Sequence, residues 1–137
     1  MSTIRDVLVD AQHRLANAGV DSAATESAEL LAHVLRVPRS RLFMQDSVEE
    51  DDRISFERLL AKRLNRIPLQ HITGKAAFRR IELEVGPGVF IPRPESELVA
   101  EAAIRFLNHC ENPIAVDLCT GSGAIAISLA VEVPGTR

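Results

Sequence analysis

Apolar positions near the start of the chain recur with a helical spacing. Ile4, Val7, Leu8, Ala11 and Leu15 form the single stripe of a 3.6-residue period. Thr3-Ile4-Arg5-Asp6 has the form of a helix-starting box, and Gly19 is placed to end that helix in a left-handed conformation. Asp21 or Ser22 can cap a second helix, with Ala24, Ala28, Leu31 and Leu35 on its stripe and Pro38 to stop it. Residues 40–44 suggest one further turn. Ser47-Val48-Glu49-Glu50 reads as a capping box that opens a third helix through Ile54, Leu59, Leu60 and Leu64 to about Asn65. Phe43 and Phe56 sit in these helical stripes and are expected in the core. Short helices with short connections make a small bundle over residues 1–66.

The pattern changes after Pro68. Ile81, Leu83 and Val85 alternate with Glu82 and Glu84, the period of a half-buried strand. Gly74-Lys75 is expected to turn an earlier strand, residues 69–73, back towards it, giving a hairpin linker over residues 67–94. Pro92-Arg93-Pro94 prescribes a stiff, extended backbone. A helix with Leu98, Val99, Ala102, Ala103, Phe106 and Leu107 on its core face follows, until Asn112-Pro113 breaks it. Residues 114–118 then read as a buried strand, residues 119–123 as a tight turn, and residues 124–131 as a helix. One strand and one helix cannot complete a parallel sheet. Residues 95–137 are therefore expected to open an α/β domain whose remainder lies outside these 137 residues.

Composition narrows the function classes. The chain is 46% hydrophobic and 26% charged, a globular balance rather than a disordered one. No apolar run reaches the ~20 residues of a membrane span, and the acid at position 6 interrupts any secretory signal. The net charge of −3, with no Trp or Tyr, argues against direct nucleic-acid binding. Cys110 and Cys119 are too few for a disulfide scaffold or a zinc knuckle, which points to a reducing, cytoplasmic setting. His13, His33, His71 and His109 lack the paired spacing of metal ligands, so no metal is expected.

Chemistry concentrates in Asp117-Leu118-Cys119-Thr120-Gly121-Ser122-Gly123, between the expected strand and helix. Glycines there let the backbone approach a ligand, and a helix N-terminus offers free N–H donors. Residues 121–126 match the dinucleotide pattern G-x-G-x-x-[GA]. An acid at the strand end followed by a small-residue loop also fits a turn that cradles the amino-acid part of S-adenosylmethionine. A glycine-rich connection with no ligand is the third reading, and the turn alone leaves all three open.

Segments elsewhere favour one of them. Pro68-Leu69-Gln70-His71-Ile72-Thr73-Gly74, Phe78, Phe90-Ile91-Pro92-Arg93-Pro94-Glu95-Ser96-Glu97 and residues 117–126 together resemble the release factor glutamine methyltransferase family. The resemblance runs the length of the chain. It implies a helical N-terminal domain that helps engage the substrate, a hairpin linker, and the first β-α unit of a Rossmann-like methyltransferase domain. It implies a cytoplasmic, monomeric enzyme that moves a methyl group from S-adenosylmethionine to the glutamine side-chain nitrogen in the Gly-Gly-Gln motif of peptide chain release factors. Carried onto this chain, Cys119, Thr120, Gly121, Ser122 and Gly123 form the cofactor loop, Asp117 orients it, and Arg93-Pro94 lies at the edge of the pocket.

The chain departs from the family pattern in two respects. Cysteine stands at 119 where the family usually has glycine. The family's Asn-Pro-Pro-Tyr motif, which grips the target amide, and the ribose-binding acid ~20 residues beyond the turn are not among residues 1–137. No catalytic residue is therefore assigned, and this stretch by itself is expected to be an inactive N-terminal portion. A non-enzymatic helical binding module and a dinucleotide-binding oxidoreductase are the competing readings. Arg93 is as readily an ion-pair partner for Glu95 or Glu97 as a pocket residue. Arg36, Arg39 and Arg41 read as a solvated basic face before a partner surface. Cys119 has no histidine partner in the motif that would make it a nucleophile.

Overall fold

The computed structural model describes residues 2–137, which divide into two compact units, the first ending at Thr73 and the second beginning at Gly74.

The first unit is a helical bundle. Strand β1 (Ser2–Thr3) leads into α1 (Ile4–Asn17), followed by α2 (Ala23–Leu35), a 3-10 segment (Arg39–Met44), strand β2 (Ser47–Val48), α3 (Glu50–Leu64) and α4 (Leu69–Thr73). Helix α1 begins as its sequence dictates. The Thr3 side chain accepts from the Asp6 N–H at 3.2 Å, and the Thr3 hydroxyl donates to the Asp6 carboxylate at 2.7 Å. Gly19 closes the helix at φ +73. The Arg66 guanidinium donates to the Ala18 and Gly19 carbonyls, satisfying groups a helix end leaves without partners.

Ile4, Leu8, Ala11 and Leu15 are buried, as their spacing predicts, against Leu30, Leu31, Leu42, Val48, Phe56 and Leu60. Burial of an aliphatic or aromatic side chain stabilises by ~1.5–3 kcal/mol, so this shared core is what holds the short helices together. Two ion pairs link helices around it: Arg63 with Glu26, both largely buried, and Arg14 with Glu57 at 3.0 Å.

Several expectations fail in this unit. Ser47 does not cap α3: Ser47 and Val48 pair antiparallel with Thr3 and Ser2, and Glu49 takes the N-cap position without a side-chain bond. The strand places Val48 in the core, and that burial outweighs one cap. Ser22 stands at the start of α2 but its side chain makes no capping bond. On α2, Leu31 of the expected stripe is buried and Ala28 and Leu35 pack partly buried against the core, but Ala24 is exposed and Ala23, Ser27 and Leu30 complete the inward face. Ile54 and Phe43 are exposed, because Phe56 and Leu42 take the inward positions of their segments. Residues 69–73 are helical rather than a strand, since Pro68 starts a turn that accepts from the His71 and Ile72 N–H groups. Leu69 and Ile72, three apart, pack against the bundle core.

The second unit contains β3 (Lys75–Phe78), β4 (Ile81–Glu84), α5 (Ser96–Leu107) and α6 (Ala124–Glu132). The hairpin forms with a different first strand from the one expected: β3 pairs antiparallel with β4 in the register Ala76 opposite Leu83 and Phe78 opposite Ile81, and the chain reverses at Arg79-Arg80. Ala76, Phe78 and Leu83 point into a core shared with Ala100 of α5 and Ala124 of α6. A second cluster joins Ile104 and Leu107 of α5 to Leu129 and Val133.

Helix α5 buries Ala100, Ile104 and Leu107, whereas Leu98, Val99 and Phe106 are exposed. It carries two apolar stripes, and only the one facing the hairpin and α6 has surface to pack on. Residues 114–118 do not form a strand; Ile114, Val116 and Leu118 are exposed. A strand exists only through a neighbour's hydrogen bonds, and here the Ala115 N–H goes to the Arg137 carbonyl at 2.8 Å instead.

Candidate functional site

The glycine turn connects residues 114–118 to α6 and is the most distinctive backbone in the second unit. Cys119, Gly121 and Gly123 have φ of +60, +59 and +79. Three left-handed residues within five fold the chain back so that α6 starts immediately after Gly123. A Cβ on Gly123 would lie 3.2 Å from the Ile127 side chain, so side-chain contact as well as backbone conformation requires glycine there. At Cys119 the left-handed conformation is borne by a residue with a Cβ, an arrangement that costs ~1–2 kcal/mol.

Asp117 closes the turn from the other side. Its Oδ2 accepts from the Thr120 hydroxyl at 2.9 Å and from the Ala126 N–H at 3.2 Å, across the first turn of α6. The Gly123 N–H donates to the Thr120 carbonyl at 2.9 Å. The N–H groups of Gly121, Ser122, Ala124 and Ile125 meet no acceptor among the described residues. A run of such donors at a helix start favours an electronegative group. The donor set therefore fits an anionic group, the carboxylate end of S-adenosylmethionine or a phosphate alike.

The turn thus brings Asp117, Cys119, Thr120, Gly121, Ser122 and Gly123 into one loop. Arg93 is exposed and pairs with neither Glu95 nor Glu97. Glu97 accepts from the Arg79 N–H at 3.0 Å instead. In the first unit, Arg39 pairs with Glu29 at 3.0 Å beside an open groove of about 740 Å³ lined by Ala24, Thr25, Ala28 and Phe43.

Sequence reasoning missed Arg79. Its guanidinium binds Glu132 through Nε at 2.6 Å and Nη2 at 2.8 Å, and Glu101 at 2.7 Å. These hydrogen bonds, first to Glu132 and then to Glu101, raise the Arg79 pKa and hold the Glu132 carboxyl below its ordinary range. Three glutamates at 97, 101 and 132 with one arginine at a hairpin turn form no recognisable motif. Only the fold collects them.

The first unit is a helical bundle, and the second carries the hairpin and the glycine-turn helix. The family model described as the PrmC N-terminal domain matches residues 6–74. Proteins named release factor glutamine methyltransferase align with the whole chain or nearly so. The Streptomyces coelicolor protein is 48% identical over 140 residues, covering 100% of this chain and 49% of its own length. The Mycolicibacterium smegmatis protein is 44% identical over 137 residues, covering 100% and 48%. The Moorella thermoacetica protein is 36% identical over 137 residues, covering 98% and 48%. The chain belongs to the release factor glutamine methyltransferase family, and it spans about half the length of these curated relatives, corresponding to their N-terminal portion.

Proposed function

We propose that this chain is the N-terminal part of an enzyme that methylates the glutamine side-chain nitrogen in the Gly-Gly-Gln motif of peptide chain release factors, in the cytoplasm and as a monomer. The observation that carries this reading is the glycine turn, with its free N–H donors and its Asp117 brace, in a chain aligned from end to end with relatives of that name. The same alignment favours S-adenosylmethionine over a dinucleotide, and an enzyme over a non-enzymatic binding module. The exposed apolar residues of α5 and of residues 114–118 support the further reading that the second unit opens a Rossmann-like domain, whose later strands would cover them.

S-adenosylmethionine supplies an electrophilic methyl group when bound. The N–H groups of Gly121, Ser122, Ala124 and Ile125 would hold its carboxylate end, with Thr120 and Asp117 fixing the loop that presents them. The target nitrogen is a poor nucleophile because its lone pair is delocalised into the amide carbonyl. Positioning and preorganised dipoles must therefore carry the reaction, and residues 1–137 contain no Asn-Pro-Pro-Tyr clamp to supply them.

A methyl-transfer assay on a release factor carrying Gly-Gly-Gln tests the proposal. A protein in which this chain is followed by the clamp-bearing half of a relative should methylate that glutamine, and residues 1–137 alone should not. Transfer to any other residue, or none by the longer protein, would refute the reading. Turnover by residues 1–137 alone would show that the active site lies elsewhere than assigned.

A further inference from the structure

Arg79 occupies the hairpin turn in a left-handed conformation, φ +50, and reaches both helices of its unit. Its N–H donates to Glu97 Oε1 at 3.0 Å, and Nη1 donates to the Glu97 carbonyl at 3.3 Å. Nη2 donates to Glu101 at 2.7 Å, and Nε and Nη2 form a fork on the two oxygens of Glu132. The side chains of Arg79 and Glu132 are only 14% and 6% exposed. Arg80 adds a longer contact to Glu132 at 3.6 Å.

Glu132 is the last residue of α6, where a carboxylate faces the negative end of the helix dipole and is unfavourable without a cation. Arg79 supplies that cation in the fork geometry that fixes direction as well as distance. Helix α6 has nine residues, about 14 Å of hydrogen-bonded rod. Fixing its last turn therefore fixes where its first turn points.

We propose that Arg79 is a positioning residue for the glycine turn at residues 119–123. By gripping Glu132 it sets the axis of α6, and with it the place of the N–H donors at the helix start. The hairpin then aligns the loop as well as connecting segments. The inference rests on the reading of that turn as the cofactor loop.

Amide hydrogen exchange on the 137-residue chain, read by NMR without cofactor, tests it. In Arg79→Ala, the protected amides of Gly123, Ala126 and Ile127 should exchange at least tenfold faster, while those of the β3–β4 ladder change less than twofold. Arg79→Lys, which keeps the charge without the fork, should fall between. Unchanged exchange at the turn would overturn the proposal. Equal acceleration in the ladder would overturn it too, because Arg79 would then only hold the hairpin. Should Arg79→Ala fail to fold, Glu132→Gln leaves the contacts to Glu97 and Glu101 in place, and the same selective acceleration or its absence decides. Titrating wild type with millimolar S-adenosylmethionine and following the residue 119–123 resonances tests the cofactor reading separately.

Discussion

The Asp117 carboxylate accepts a hydrogen bond from the Ala126 N–H at 3.2 Å, spanning the glycine turn from its entry to the first turn of α6. The contact plays the part of a helix cap, supplied by a residue well ahead of the usual capping position. Loss of a capping side chain typically costs ~1 kcal/mol. Asp117→Ala should therefore lower the unfolding free energy read from α6 resonances in urea by that amount, with Asp117→Asn losing less. Equal midpoints for wild type and Asp117→Ala would show that the brace contributes nothing.

Cys119→Gly should not destabilise the second unit and should raise its stability by up to ~1.6 kcal/mol. The left-handed backbone at 119 costs a residue with a Cβ ~1–2 kcal/mol, against ~0.4–1 kcal/mol for the extra freedom glycine gives the unfolded chain. Cofactor affinity in a longer protein should be kept or improved. A lower denaturation midpoint, or a tenfold loss of affinity, would mean that the sulfur makes a needed contact.

Residues 1–73 should fold alone. The sequence places the bundle's end near residue 66, but Leu69 and Ile72 of α4 pack on its core, so the cut belongs after Thr73. Circular dichroism should show a cooperative helical melt, and Phe56→Ala, at a position 1% exposed, should cost ~3–5 kcal/mol. A random-coil spectrum for residues 1–73 at low temperature would contradict this.

Acid should weaken the second unit through Glu132. Its hydrogen bond from Arg79 holds the folded carboxyl below the ordinary value of 4.5. A lowered folded pKa means a contribution fully present above that ordinary value and lost as pH falls through the folded one. The gap in melting temperature between wild type and Glu132→Gln should therefore be constant above pH 4.5 and shrink below it. A gap independent of pH would exclude the ionised pair as its source.

Local sequence determined those features whose causes lie within a few residues. Thr3 and Asp6 start α1, Gly19 ends it, and the β4 alternation buries Leu83, because capping geometry and side-chain period act over one or two turns. The glycine turn was legible for the same reason: Gly121 and Gly123 stand where the backbone becomes left-handed. Tertiary structure decided what depends on a partner. Residues 114–118 are as apolar as a strand but join no sheet, α5 offers two stripes and buries one, and the turn that Pro68 starts at residues 69–73 is held where Leu69 and Ile72 meet the bundle. Arg79 is the extreme case. Its carboxylate partners lie 18 to 53 residues away, and a hydrogen bond that closes so long a loop leaves no periodic trace in the sequence.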